Sequence, residues 1–406
     1  MIQIIDKKEC CGCWACYNVC PKQSIKMLED MEGFRYPSIN LDSCINCGLC
    51  EKVCPVLHST DDDLPHKQEG FILQHKDDEI RKQSTSGGAY TAIAKWVLNQ
   101  GGVVFGAGYL EGTFTVVHQW IEKEEDLFIF RNSKYVQSEM RDCFQQALTF
   151  LRAGRWVCFS GTPCQIEGLR YFLRRRNYEK LICVDLVCHG IPSPRILRAF
   201  IDNSQHLIGG SFKNILFRDK FYGYHYSSFS IYNEDKKKDY HKGVESNSYL
   251  RAFFHNLSDR PSCYFCHFKK RYRFSDFTIW DCFPIEKFSK TMDGNGTTRV
   301  LVQSEKGAMI LKSIACDVRL EEINPDKLTA NVREMFYSVP MNPKRELFYS
   351  DLNTMETDAF FAKWFPMTFK VRINSFIRLT VHRLGIYSVV KRIFMLFYTR
   401  KDERTR

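Results

Sequence analysis

One cysteine spacing occurs twice near the start of this 406-residue chain and limits its fold more than any other feature. Cys10-x2-Cys13-x2-Cys16-x3-Cys20-Pro21 is followed by Cys44-x2-Cys47-x2-Cys50-x3-Cys54-Pro55. Three thiolates at i, i+3 and i+6 wrap one face of an iron–sulfur cubane, and the fourth, set off by a longer gap and a proline, is carried to the neighbouring cluster. The ligand sets therefore cross over. Cys10, Cys13, Cys16 and Cys54 are assigned to one 4Fe-4S cluster, and Cys44, Cys47, Cys50 and Cys20 to the other. Structural zinc sites use two Cys-x2-Cys pairs across a loop rather than two four-cysteine runs ending in Cys-Pro, so zinc fits this pattern poorly. Cys11 falls between ligand positions and reads as a bystander.

Nine of the 18 cysteines lie before residue 55, a clustering that disulfide stapling would not produce. Met1 to Glu9 contains no apolar stretch of signal-peptide length, which predicts a reducing cytoplasm, where cysteines bind metal, react or pack. No window of about 18 uncharged apolar residues exists, so no transmembrane helix is expected. A content of 44% hydrophobic and 26% charged residues is that of a globular chain and excludes wholesale disorder. Nine of the eleven net positive charges fall between Lys363 and Arg406. The remainder is close to neutral, which excludes a nucleic-acid binder that spreads cations over its folded body.

Residues 1 to about 58 resemble a bacterial two-cluster ferredoxin, including Gly48 within the second run. Such modules move single electrons and leave the chemistry to another part of the chain. The polar stretch 58–70, with Pro65 and Gly70, reads as a linker and places a domain boundary near residue 60. Beyond it, helical patterns at about 88–99, 139–152, 164–174 and 194–203 alternate with strand patterns at about 102–109, 114–121, 156–160 and 181–187. Further strands are expected near 212–217, 225–232 and 276–280. The expected fold is an α+β ferredoxin-like cluster module, then an α/β body with a mixed sheet, then a C-terminal helical tail.

Two loops in the body suit a ligand. Ser84-Thr85-Ser86-Gly87-Gly88 precedes a helical pattern, so hydroxyls and unhindered backbone N–H groups gather where a phosphate binds, or where a helix is simply capped. Ser160-Gly161-Thr162-Pro163-Cys164-Gln165 is a strand-to-helix turn, at the sheet edge where open α/β folds place ligands. Cys164, Cys188, Cys263 and Cys266 lie in loops, and spacing alone leaves a third cluster, zinc and unrelated free thiols open. Cys158 and Cys183 fall within strands, and Cys143, Cys282 and Cys316 read as packing residues.

Together, Ser84 to Gly88, Lys134 to Ser138, Ser160 to Leu169, Cys188 to Pro194, Cys263 to Lys269 and Asp276 to Asp281 resemble the family of coenzyme F-420 hydrogenase/dehydrogenase beta subunits. The likeness spans about 71–310 and is similar to a bacterial branch associated with polysaccharide biosynthesis. It implies an N-terminal flavin domain at 61–159, a C-terminal family domain at 160–315 and a tail at 316–406. It also implies bound FAD on Ser86, Gly87, Gly88, Lys134, Gly161, Thr162 and Pro163. A third 4Fe-4S cluster would sit on Cys164, Cys188, Cys263 and Cys266. The implied activity is an iron–sulfur flavoprotein oxidoreductase that exchanges electrons with a protein such as ferredoxin and acts on coenzyme F-420 or a small, sugar-derived substrate. Its rival is an electron-transfer protein that docks on a separate oxidoreductase; no catalytic residue is assigned. The chain departs from the family pattern at Trp280 and at Cys282-Phe283-Pro284, which bears on the substrate pocket.

From Trp364 to Tyr398 apolar residues recur at helical spacing among Arg378, Arg383, Lys391 and Arg392. A basic amphipathic helix pair broken near Gly385 is expected. It either covers the body, meets an acidic partner, or makes peripheral contact with an anionic membrane surface, the inner membrane for a cytoplasmic protein.

Overall fold

In the computed structural model, which describes residues 1–59, 64–387 and 390, the N-terminal module and the body share one hydrophobic core. The module contributes an antiparallel hairpin, β1 (Ile25–Glu29) and β2 (Arg35–Ile39), in register Ile25↔Ile39 to Glu29↔Arg35. The polar linker gives way to β3 (Glu69–His75), an apolar strand that the sequence pattern does not announce. Along the chain follow β4 (Val103–Tyr109), β5 (Val116–Ile121), β6 (Val157–Ser160), β7 (Leu181–Leu186), β8 (Phe212–Asp219), β9 (Ser228–Asn233), β10 (Tyr240–Gly243), β11 (Phe277–Asp281), β12 (Thr298–Val302) and β13 (Val318–Glu322).

Eight of these strands form a mixed sheet in the order β13-β3-β12-β11-β7-β6-β4-β5. The centre, β11-β7-β6-β4, is parallel and both flanks are antiparallel. Side chains alternate across it as strand geometry requires. Cys158, Ile182 and Val184 pack beneath the helices Ala89–Asn99 and Glu305–Ser313. Val157, Phe159, Leu181 and Cys183 face the helices Cys143–Arg152 and Pro163–Phe172 on the other side. The module joins this second face through Cys13, Trp14, Ala15, Met27 and Val53.

The expected division at 159/160 cuts through this sheet, because β6 pairs with β4 before it and β7 after it. Both halves therefore share one sheet. The expected tail at 316–406 also begins inside the body. β13 closes the sheet edge, and the helices Arg345–Thr354 and Thr357–Trp364 bury Phe348, Phe360 and Phe361 against a second sheet, β10-β9-β8. The helix Phe369–Arg383 has no buried residue, and the second half of the expected helix pair lies outside the described residues. No described helix is long and apolar enough to cross a membrane. Cys143 and Cys282 are buried as packing residues should be, whereas Cys316 is exposed.

Candidate functional site

The two cysteine runs adopt the same backbone path. In each, the residues two and four positions after the first cysteine are left-handed: Gly12 (φ 68°) and Trp14 (φ 64°), then Asn46 (φ 49°) and Gly48 (φ 70°). These turns bring successive thiols to one side of the loop. A side chain in that region costs about 1–2 kcal/mol, and Trp14 is held there by burial and an edge contact with Tyr17 at 5.2 Å.

Cys10, Cys13, Cys16 and Cys54 converge. Burial, then the neighbouring Cys10 and Cys54, push the Cys16 thiol well up. Burial likewise raises Cys54, despite backbone N–H groups that pull it down. Cys13 is pulled down by a hydrogen bond with Cys11, yet burial together with Cys54 and Cys16 leaves it raised. Four thiolates so close need a shared cationic centre, which is the donor set a four-iron cluster requires. Cys20, Cys44, Cys47 and Cys50 line a second, shallower cavity, where Ser24 N–H donates to Cys20 Sγ and Ile2 N–H to Cys50 Sγ, both at 3.3 Å. Cys47 is exposed there, whereas Cys13, Cys16 and Cys54 are buried.

Cys164, Cys188, Cys263 and Cys266 line one cavity in the body, although they come from three separate segments. Cys164 opens the helix Pro163–Phe172, capped by Thr162 and Gln165, and its Sγ lies 3.2 Å from Thr162 Oγ1. Cys188 follows β7, and Cys263 sits in the turn Pro261–Phe265. Lys269 Nζ ties them together by donating to the carbonyls of Cys188, His189 and Glu334. Burial pushes the Cys188 thiol up to about 12.

Two buried side chains join this site to the N-terminal one. The Cys11 thiol is hydrogen-bonded to both Cys13 and Cys164, so it bridges the two cysteine sets rather than standing aside. Gly168 makes the approach close enough, since a Cβ there would lie 2.8 Å from Cys13 Cβ. Arg260, only 1% exposed, donates to Cys10 O (2.7 Å), Cys10 Sγ (3.5 Å), Gln137 Oε1 (2.8 Å) and Arg35 O (3.1 Å). Its own carbonyl accepts the N–H of Cys263 at 2.8 Å.

On the far side of the body cysteines lies a cavity of about 340 Å³. Ser86, Gly88, Lys134, Gly161 and Thr162 line it, and Cys188, His189 and Gly190 line both it and the thiol cavity. Two residues expected on its wall are placed otherwise. Gly87 is pressed against the sheet, its N–H donating to Thr298 Oγ1 at 2.8 Å, and a Cβ there would meet Leu73 O at 2.2 Å. Pro163 faces the thiol cavity instead. Burial lowers Lys134 to about 7, and its Nζ donates to the carbonyls of Ile129 (2.7 Å) and Arg131 (2.9 Å).

The wall includes residues the sequence did not mark: His118, Tyr135, Phe253, Phe254, Asp281 and Thr298. His118 is held between Ser138 Oγ (2.8 Å) and Ser160 O (3.0 Å), and burial drops it to about 4. Arg218 donates to Asp281 Oδ2 (2.7 Å) and Tyr135 OH (2.9 Å), joining the small sheet to the large one. Trp280 forms part of the wall without closing the cavity, and its Nε1 meets no partner among the described residues. The basic run 269–273 turns inward: Lys270 faces Glu167 (3.8 Å), Arg271 Asp326 (2.5 Å) and Arg273 Asp185 (3.2 Å).

The family pattern for the C terminus of the coenzyme F420 hydrogenase/dehydrogenase beta subunit matches residues 154–327, and two 4Fe-4S dicluster patterns match 9–57 and 40–96. The F-type component of the F(420)H(2) dehydrogenase of Methanosarcina mazei is 23% identical over 201 residues, 46% of this chain and 55% of that protein. Coenzyme F420-dependent sulfite reductase of Methanocaldococcus jannaschii is 26% identical over 170 residues, 41% of this chain and 26% of that one. The chain thus spans about half of the first of these relatives and a quarter of the second. A chain of the F420-reducing NiFe hydrogenase complex from Methanosarcina barkeri aligns with a TM-score of 0.44 at 17% identity, over 72% of this chain and 89% of that one. With a dicluster module fused to this body, the chain belongs to the family of coenzyme F420 hydrogenase/dehydrogenase beta subunits and is an iron–sulfur electron-transfer protein within it.

Proposed function

We propose that the chain is an iron–sulfur flavoprotein oxidoreductase that exchanges single electrons with a ferredoxin-like protein at its exposed cysteine site and reduces or oxidises a small molecule in the 340 Å³ cavity. The carrying observation is the shared wall. Cys188, His189 and Gly190 border the thiol cavity on one side and the larger cavity on the other, so a cluster and a cofactor would sit within a few residues of each other. Iron–sulfur clusters accept one electron each and a flavin one or two, so FAD in the larger cavity would convert single electrons into a hydride.

The residues suit these groups. Ser84 to Gly88 opens the eleven-residue helix Ala89–Asn99 at the cavity, where partial positive charge favours a pyrophosphate. Tyr135, Phe253, Phe254 and Trp280 supply a ring-lined wall that excludes water from a flat cofactor. Lys134 Nζ, near neutrality in its proton affinity, can hold or release a proton at pH 7. His118 stays neutral there and keeps its hydrogen bonds to Ser138 and Ser160. Arg260 places a buried positive charge and an N–H against the sulfur of Cys10, which favours the reduced state of the cluster held there. The substrate classes that fit are coenzyme F420 and a sugar-derived acceptor, entering beside the half-exposed Phe254.

The test is iron, acid-labile sulfide and flavin per chain on anaerobically purified protein. About 12 iron and one flavin are expected, for three four-iron clusters and one FAD. About 8 iron without flavin would overturn this reading in favour of a two-cluster electron-transfer protein that docks on a separate oxidoreductase.

A further inference from the structure

The helix Phe369–Arg383 is built differently on its two sides. The inward side meets the small sheet: Arg378 faces Glu245 at 3.7 Å, His382 packs on Tyr222 at 5.8 Å, and Tyr387 just beyond stacks on Tyr226 at 5.1 Å. The opposite side is apolar and open to solvent. Phe369 is 78% exposed and Phe376 70%, with Ile373 and Ile377 between them and Leu384 at 65% one residue past the helix end. Their spacing places them on one stripe. Lys370 lies along one border of that stripe, and Arg372 and Arg383 along the other.

An apolar stripe of this size on a folded surface marks an interaction site. The charge pattern selects the occupant. Residues 359–401 contain nine Lys and Arg and not one Asp or Glu. Cations on both borders of an apolar stripe match a surface that is anionic at its face and apolar just beneath. Long basic side chains can then reach lipid headgroups while the phenylalanine rings enter the acyl boundary.

We propose that the outward stripe Phe369–Ile373–Phe376–Ile377–Leu384, with Lys370, Arg372 and Arg383 at its borders, lies in the plane of an anionic lipid surface and anchors the chain there peripherally. The inward contacts keep the stripe facing away from the body, so the membrane and the cofactor cavities occupy different faces. This inference does not depend on the redox reading.

The experiment is co-sedimentation of the full iron-loaded chain with vesicles of phosphatidylcholine alone or mixed with phosphatidylserine. Sedimentation with the mixed vesicles only, weakened by salt, is expected. Arg372→Gln with Arg383→Gln should lower partitioning roughly fivefold per cation removed. Phe369→Ser with Phe376→Ser should remove the binding that survives high salt. All four side chains are exposed, and unchanged iron content and circular dichroism confirm that each variant is folded. A chain that stays in solution with phosphatidylserine vesicles at low salt, or whose binding ignores both double variants, overturns the proposal. So does salt-sensitive retention on immobilised polyglutamate without vesicle binding, which would assign the face to an acidic polypeptide.

Discussion

The two cysteine runs share a spacing and a left-handed backbone pattern, yet the tertiary structure gives them opposite surroundings. The set Cys10, Cys13, Cys16 and Cys54 is walled in by the helix Pro163–Phe172, by Cys11 and by Arg260. The set Cys20, Cys44, Cys47 and Cys50 sits at the surface with Cys47 exposed. One repeat has become part of the body's core while the other stays open to a partner. The difference teaches that a cluster site's role is set by what covers it, because burial, charge and hydrogen bonds to sulfur tune its potential while exposure decides who can reach it.

The largest effect that would break or sharpen this contrast comes from removing one ligand on each side. Cys13→Ala and Cys47→Ala should each lose about four iron per chain, but only Cys13→Ala should also lower the melting temperature of the body, because Cys13 packs against Gly168. Unchanged iron in either variant would sink the ligand assignment; equal melting shifts would sink the contrast. Next, a strong iron chelator added to the oxidised protein should remove iron in two phases. The fast phase should be absent from Cys47→Ala, while a single phase would mean that both sites are equally open.

A smaller effect is expected of Arg260→Gln, which removes a buried charge and leaves the ligands in place. The midpoint potential of the buried cluster should fall by about 60 mV, a tenfold change in a one-electron equilibrium, in a potentiometric titration followed by electron paramagnetic resonance. The surface cluster should not move. The smallest effect belongs to Cys11→Ala. Its counterpart in the second run is Ile45, so it should leave iron content intact and lower the buried cluster's potential by less than Arg260→Gln does. Loss of iron in Cys11→Ala would make it a ligand instead.

Much of the site was legible before folding was considered. The duplicated runs, the loop Ser84 to Gly88 and the turn Ser160 to Gln165 each carry their chemistry within a few residues, so local spacing suffices to find them. Strands 4 to 9 and 11 also lie where their apolar alternation placed them, to within a few residues. What stayed hidden was long-range. β3 pairs with β12 and β13, more than 200 residues away, and its polar approach resembled a linker. Gly87 looked like a phosphate contact, but its lack of a side chain serves close packing on Leu73 and Thr298. His118, Phe253 and Asp281 carry no motif, and only the sheet order brings them to one cavity.

By itself the sequence determined the identity and crossed spacing of the cluster ligands, the alternation of strand and helix, and the excess of cations near its end. Those are properties of neighbours along the chain, written in side-chain chemistry and in the few backbone turns that a short peptide can take. Only the tertiary structure decided that one cysteine set is buried and the other open, that Cys11 and Arg260 bridge separate sites, and that the apolar stripe of Phe369 to Leu384 faces outward. The physical reason is that burial and pairing depend on which distant segments meet across a sheet register or a helix face, and no local pattern specifies that meeting.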